Sequence, residues 1–221
     1  MIPTLLKFAA ALSIFFAASI AIIRMQPAAS PPTIAPPEGC FAPCFMGIRP
    51  GVTTGYDALE LLRTNDWVRY IQNINISTGT RTFSGSISWE WSGRQPAWID
   101  PYHDSWLWAD EDHVEYIAIR TRVSLGDLWL AYGAPASGTV FGDTGRRLSL
   151  IYYEGIYPRQ HMLVNVRGVC PFRDYWSEAV MLTFLDDIPP HLSAPSGGSG
   201  LPNAIRSQCT QLLNERGILS P

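Results

Sequence analysis

Arg81-Thr82-Phe83-Ser84-Gly85-Ser86-Ile87-Ser88-Trp89-Glu90-Trp91 is the stretch whose reading decides the fold. Phe83, Gly85, Ile87, Trp89 and Trp91 recur at a period of two, with serines and Glu90 between them. Successive side chains of a β-strand point to opposite faces, so this alternation predicts a strand with one buried face.

Outward from it the chain is β-rich. A strand is predicted at Trp67–Ile76 before it, and a hairpin after it from Trp106–Ala109 and Val114–Arg122 around the acidic turn Asp110-Glu111-Asp112. Gly138–Phe141, Arg147–Tyr153, His161–Val166 and Val180–Leu185 read as further strands, with Gly142-Asp143-Thr144-Gly145 as a hairpin turn. Three helices are predicted. Tyr56–Arg63 takes Thr53 or Thr54 as N-cap, and Leu125–Tyr132 is capped by Ser124 and closed by Gly133 and Pro135. Asn203–Arg216 gathers Ile205, Cys209, Leu212 and Leu213 on one face and stops at Gly217. Val52-Thr53-Thr54-Gly55 and Val123-Ser124-Leu125-Gly126 open the first two helices alike, each followed by β-rich sequence. The expected fold is therefore α+β, with short helices packed on an antiparallel sheet and a tandem duplication.

The two ends differ in composition. Leu5–Ile23 is apolar apart from Lys7 and two serines, and as a helix would span about 28 Å of a hydrocarbon core of about 30 Å. Residues 1–25 are expected to be a transmembrane helix or a signal. The length of the run and the poor cleavage site Ile20-Ala21-Ile22-Ile23-Arg24 favour an uncleaved single-pass anchor. Met1 and Lys7 against Arg24 give a weak positive-inside bias. Pro27, Pro31, Pro32, Pro36 and Pro37 predict an extended stalk over 26–39, since proline supports neither helix nor sheet ladders. Residues 40–187 are expected to form the extracytoplasmic domain, 188–202 a flexible Pro/Ser/Gly linker, and 203–217 a helix packed back on the domain. Cys40 follows Gly39, but Pro37-Glu38-Gly39 is a poor lipid-attachment box and lies far beyond the apolar run.

The domain has about 180 residues, enough for one core. A net charge of −3 without a basic stripe gives no electrostatic footprint for nucleic acid. Four cysteines, an even number in a chain expected to leave the reducing cytosol, predict disulfides. Among the three pairings, Cys40 with Cys44 is local, and Cys170 with Cys209 would tie the late strands to the last helix.

Val123-Ser124-Leu125-Gly126-Asp127-Leu128 through Gly133-Ala134-Pro135 resembles the capped helix of small outer-membrane assembly lipoproteins, which share a fold with β-lactamase-inhibitor-like proteins. The opening Cys40-x-x-Pro43-Cys44-Phe45-x-Gly47-Ile48-x-Pro50-Gly51-x-Thr53-Thr54 resembles the start of uncharacterised membrane-tethered bacterial proteins with tandem helix-plus-sheet repeats. These resemblances imply a non-enzymatic, extracytoplasmic domain that works by binding, and they bring no catalytic residues and no cofactor.

Candidate chemistry is sparse. Asp100-Pro101-Tyr102-His103-Asp104 and Asp110-Glu111-Asp112-His113 concentrate carboxylates and two histidines, so His103, Asp104, Asp112 and His113 are the candidate set for a metal-dependent hydrolase. The spacing matches no metal motif, and such polar runs are ordinary turns. Ser196-Gly197-Gly198-Ser199-Gly200 lacks the preceding strand of a nucleophile elbow and reads as linker. Tryptophans are the strongest surface candidates: Trp89 with Trp91, and Trp106 with Trp108, each share one side of a strand. An exposed pair would anchor a protein or stack on a sugar ring, whereas buried pairs would simply fill the core. The leading expectation is a membrane-anchored scaffolding domain that binds another envelope protein. A cell-wall glycan module using the four tryptophans stands second, and the hydrolase third.

Overall fold

Eight alternating stretches pair edge to edge into one antiparallel sheet, which organises everything else. The computed structural model describes residues 40, 43–76, 84–110, 113–144, 148–172, 174–187 and 200–215, together with Leu12, Phe15, Phe16 and Ala18. The strands are β1 (Val68–Ile76), β2 (Gly85–Trp91), β3 (Ser105–Asp110), β4 (His113–Ser124), β5 (Ser137–Thr144), β6 (Ser149–Tyr157), β7 (Met162–Val169) and β8 (Ala179–Leu185). They lie in the order β1-β2-β3-β4-β8-β7-β6-β5. Helix α1 (Gly55–Thr64) precedes the meander β1 to β4, α2 (Leu125–Tyr132) precedes the meander β5 to β8, and α3 (Leu201–Glu215) closes the domain.

The two meanders fuse where β4 meets β8. The register runs from Tyr116 opposite Leu185 to Arg120 opposite Met181, then shifts before Ser124 meets Ala179. At that irregularity the buried Thr121 hydroxyl donates to the Val180 carbonyl at 2.7 Å, so the seam leaves no orphaned hydroxyl there. Ser124 then ends β4 and caps α2, its hydroxyl oxygen accepting the Asp127 N–H at 3.1 Å. Thr54 does the same for α1 through the Asp57 N–H. Each cap satisfies a first-turn donor that the helix cannot pair internally. Gly133 closes α2 at φ 79°, a conformation side chains resist.

One face of the sheet is covered. Ile87, Trp89 and Trp91 of β2, Ile117 and Ile119 of β4, Val164 of β7 and Leu182 of β8 share a core. Leu59 and Leu62 of α1, Leu125 and Leu128 of α2, and Ile205 and Leu212 of α3 pack into it from above. Phe45, in the loop before α1, stacks on Phe184 at 5.8 Å and meets Trp91 edge-on at 6.3 Å. Each fully buried aliphatic or aromatic side chain contributes roughly 1.5–3 kcal/mol. Disulfides Cys40–Cys44 and Cys170–Cys209 close the amino-terminal loop and tie the end of β7 to α3.

The expected fold class is corrected here. The described residues from 40 onward form mostly one continuous eight-stranded antiparallel sheet with three α-helices, where successive helix-plus-sheet units headed by a transmembrane helix were expected. The strands of the two meanders hydrogen-bond across β4 and β8, so neither half closes on itself. No helix among the described residues is long and apolar enough to cross a membrane. The expected anchor at 1–25, the stalk at 26–39 and the linker residues 188–199 lie outside the described residues, the four leader residues named above excepted. Element ends also move. Gly142, Asp143 and Thr144 belong to β5, Thr144 facing Ser149, where a turn was expected. The last helix begins at Leu201, whose side chain is buried.

Candidate functional site on the open face of the sheet

Strand alternation sends every second side chain to the face that no described helix covers. On β2 this face holds Ser86, Ser88 and Glu90, because Ile87, Trp89 and Trp91 point into the core. Ser88 lies opposite Trp106 and Ser86 opposite Trp108, so both β3 tryptophans stand on the open face. Trp106 in turn faces Ala118, and Trp108 faces Tyr116, on β4. Continuing across the seam, the same face carries Thr183 and Met181 of β8, then Asn165 and Arg167 of β7. It ends with Tyr152 of β6 and Phe141 of β5, stacked at 5.2 Å between centroids and inclined 12°. The Arg167 guanidinium lies over the Tyr152 ring at 5.8 Å, a favourable cation–π placement.

The four tryptophans named by the sequence are thus split between faces. Trp89 and Trp91 are 0 % and 5 % exposed, and their rings meet edge-to-face at 5.7 Å inside the core. They are removed from any binding platform. Trp106 and Trp108 are partly exposed, in the company of Tyr70 at 60 % and Phe141 at 41 %. The residues the sequence reading missed are Tyr70, Tyr116, Phe141, Tyr152 and Arg167. A signal was present for Tyr152: β6 is apolar on both sides, as Leu150-Ile151-Tyr152-Tyr153 shows.

The candidate metal residues do not converge. His103 and Asp104 precede β3 and His113 opens β4 at the far end of the hairpin, the length of a six-residue strand, roughly 17–20 Å, away. Asp112 lies outside the described residues, and among the described ones no three His, Cys, Asp or Glu side chains form a metal-holding group. Instead the His103 ring pairs with Asp100 at 2.6 Å, and Asp104 accepts from the Gln72 amide at 3.3 Å. Burial works to raise the Asp100 carboxyl, but the Tyr102 N–H, the His103 ring and the Arg122 charge outweigh it and hold the carboxyl below its ordinary value. Burial pushes the Tyr153 and Tyr157 phenols up, leaving them neutral, and Tyr157 donates to the Gly133 carbonyl at 2.9 Å. The serine candidate at 196–199 falls outside the described residues.

No family model, curated protein or solved structure matches this chain. The open face combines partly exposed tryptophan, tyrosine, phenylalanine and arginine with short polar side chains. Aromatic residues and arginine are the types enriched where proteins bind proteins, because they offer large contact area at little conformational cost.

Proposed function

We propose that this is a non-enzymatic binding domain that docks another protein on the open face of its sheet. The observation that carries the reading is that Trp106, Trp108 and Tyr116, and in a second group further along the sheet Tyr152 and Phe141, stand on a face left without a helix among the described residues, while the opposite face is filled. Rings displayed by a continuous sheet are held rigidly, so little freedom is lost on binding. The two disulfides support placing the domain in an oxidising, extracytoplasmic compartment, with an envelope protein as partner. The resemblance to β-lactamase-inhibitor-like proteins points the same way, since it implies a domain that works by binding.

The test is site-specific crosslinking in the native envelope. A photoreactive residue replacing Thr183 on the open face should give one discrete protein adduct. The same residue at Gln211 on α3 should give none. Trp106→Ala together with Trp108→Ala should abolish the Thr183 adduct while the circular dichroism stays unchanged. Equal adducts from both positions, or an adduct that survives the double substitution, would sink the reading.

A further inference from the structure

The open face deepens at one end into a groove of about 720 Å³, where β4 begins and β8 finishes. Its floor is Tyr116, Leu163 and Leu185, which with Ile156 form a small apolar cluster separate from the main core. Leu163 and Leu185 are each 8 % exposed and Ile156 is 3 % exposed, so the floor is held in place by its own packing. The rim is of one sign. Asp110, Glu115, Asp186 and Asp187 surround the opening, His113 and the Tyr116 phenol are the other titratable groups among the described lining residues, and no Lys or Arg is among them. The rim is also anchored: the Ser84 hydroxyl donates to Asp110 at 2.9 Å, and the Asp186 carbonyl pairs with the His161 ring at 3.0 Å.

An apolar floor under a carboxylate rim has a specific complement. A lysine or arginine side chain has an aliphatic stem that gains from apolar contact and a cationic head that gains from carboxylates. A bare metal ion fits less well, because these carboxylates form no metal-holding group. We propose that this groove seats a lysine or arginine, flanked by apolar residues, of the protein docked on the open face. The inference rests on the docking reading and adds the chemistry of the contact: the partner presents a basic, apolar segment to this end of the sheet.

The experiment uses three labelled twelve-residue peptides added to the intact protein: one of alternating leucine and arginine, one with glutamate replacing every arginine, and one with serine replacing every leucine. Fluorescence anisotropy reads affinity, and amide shifts locate the contact. The leucine–arginine peptide should bind with shifts centred on Tyr116, Leu163 and Leu185, and the other two at least tenfold more weakly. Asp186→Asn with Asp187→Asn should weaken it about tenfold or more, since a charge-assisted bond contributes on the order of one such factor, with the melting temperature unchanged. Glutamate-peptide binding of equal strength, unaltered affinity in the double variant, or shifts elsewhere would overturn the proposal. So would concentration-dependent dimerisation lost in the same variant, which would make a second copy of this chain the occupant. If the variant leaves the Thr183 adduct intact while Trp106→Ala with Trp108→Ala removes it, the groove assignment falls and the docking reading stands. If neither changes that adduct, the docking reading fails too.

Discussion

The two faces of the sheet carry the same kinds of aromatic residue in different surroundings. Trp89 and Trp91 lie in the core on the helix-covered face with essentially no contact with water, while Trp106 and Trp108, one strand away, stand on the other side. Ring for ring the chemistry is identical. What differs is the cover: α1, α2, α3 and the Phe45 loop fill one side, and no described helix lies on the other. An aromatic side chain therefore serves stability or recognition according to what packs on it, and residue type alone does not say which.

That contrast is broken most sharply by truncating one tryptophan from each face. Trp89→Ala should cost about 3–5 kcal/mol, because it empties a ring-sized volume in a packed core, and should shift urea denaturation strongly or prevent folding. Trp106→Ala should cost about 1 kcal/mol or less and keep the folded baseline, while removing the partner adduct. Equal destabilisation by the two would show that the open face is a second core and not a docking surface.

The Cys170–Cys209 disulfide belongs to the covered side, since it holds α3 over β5 and β6. It closes a loop of 39 residues, so Cys170→Ser with Cys209→Ser should cost roughly 2–4 kcal/mol by loop entropy. Chemical denaturation measures that loss, and partner binding at temperatures where the variant is folded should be retained. The short Cys40–Cys44 loop should contribute less, by the same logarithm of loop length. A loss of binding in the folded Cys170 variant would mean that the two faces are coupled.

Smaller effects come from the helix caps. Ser124→Ala and Thr54→Ala each remove an acceptor for a first-turn N–H and should cost about 1 kcal/mol, read as a lower urea midpoint with unchanged slope. The smallest belongs to Asp100. Its folded value lies below the ordinary one, so its stabilisation is present above the unfolded carboxylate range and fades as pH falls through the folded value. Asp100→Asn should cost no more than about 0.5 kcal/mol at pH 7, since water screens the exposed His103 side of the pair. The difference from the wild type should close below about pH 4 in acid-denaturation curves. A difference that grew on acidification would reverse the assigned sign.

Much of the scaffold was legible locally. The helix at Leu125–Tyr132 with its Ser124 cap and Gly133 stop is found with the expected ends, because caps and stops are decided within a few residues. The strands appear where alternation placed them, with ends shifted by a few residues because pairing, and not propensity, fixes where a strand finishes. The turn expected at Gly142 failed for that reason: Gly142, Asp143 and Thr144 all find partners across β6 and are drawn into the ladder.

The sequence alone determined which residues share a side within each strand, where two helices begin, and that four cysteines would pair. It could not say whether the β2 and β3 tryptophans face the same way. Period two orders side chains along one strand, but the relation between neighbours is set by register, here Trp89 against Ser105 and Ser88 against Trp106. A slip of one residue would put all four rings on one face. β3 gave no local hint, since Leu107 and Ala109 suit a core as well as Trp106 and Trp108 do. Only the assembled sheet, with helices arriving from distant parts of the chain onto one side, made one pair core and left the other on the face that no described helix covers.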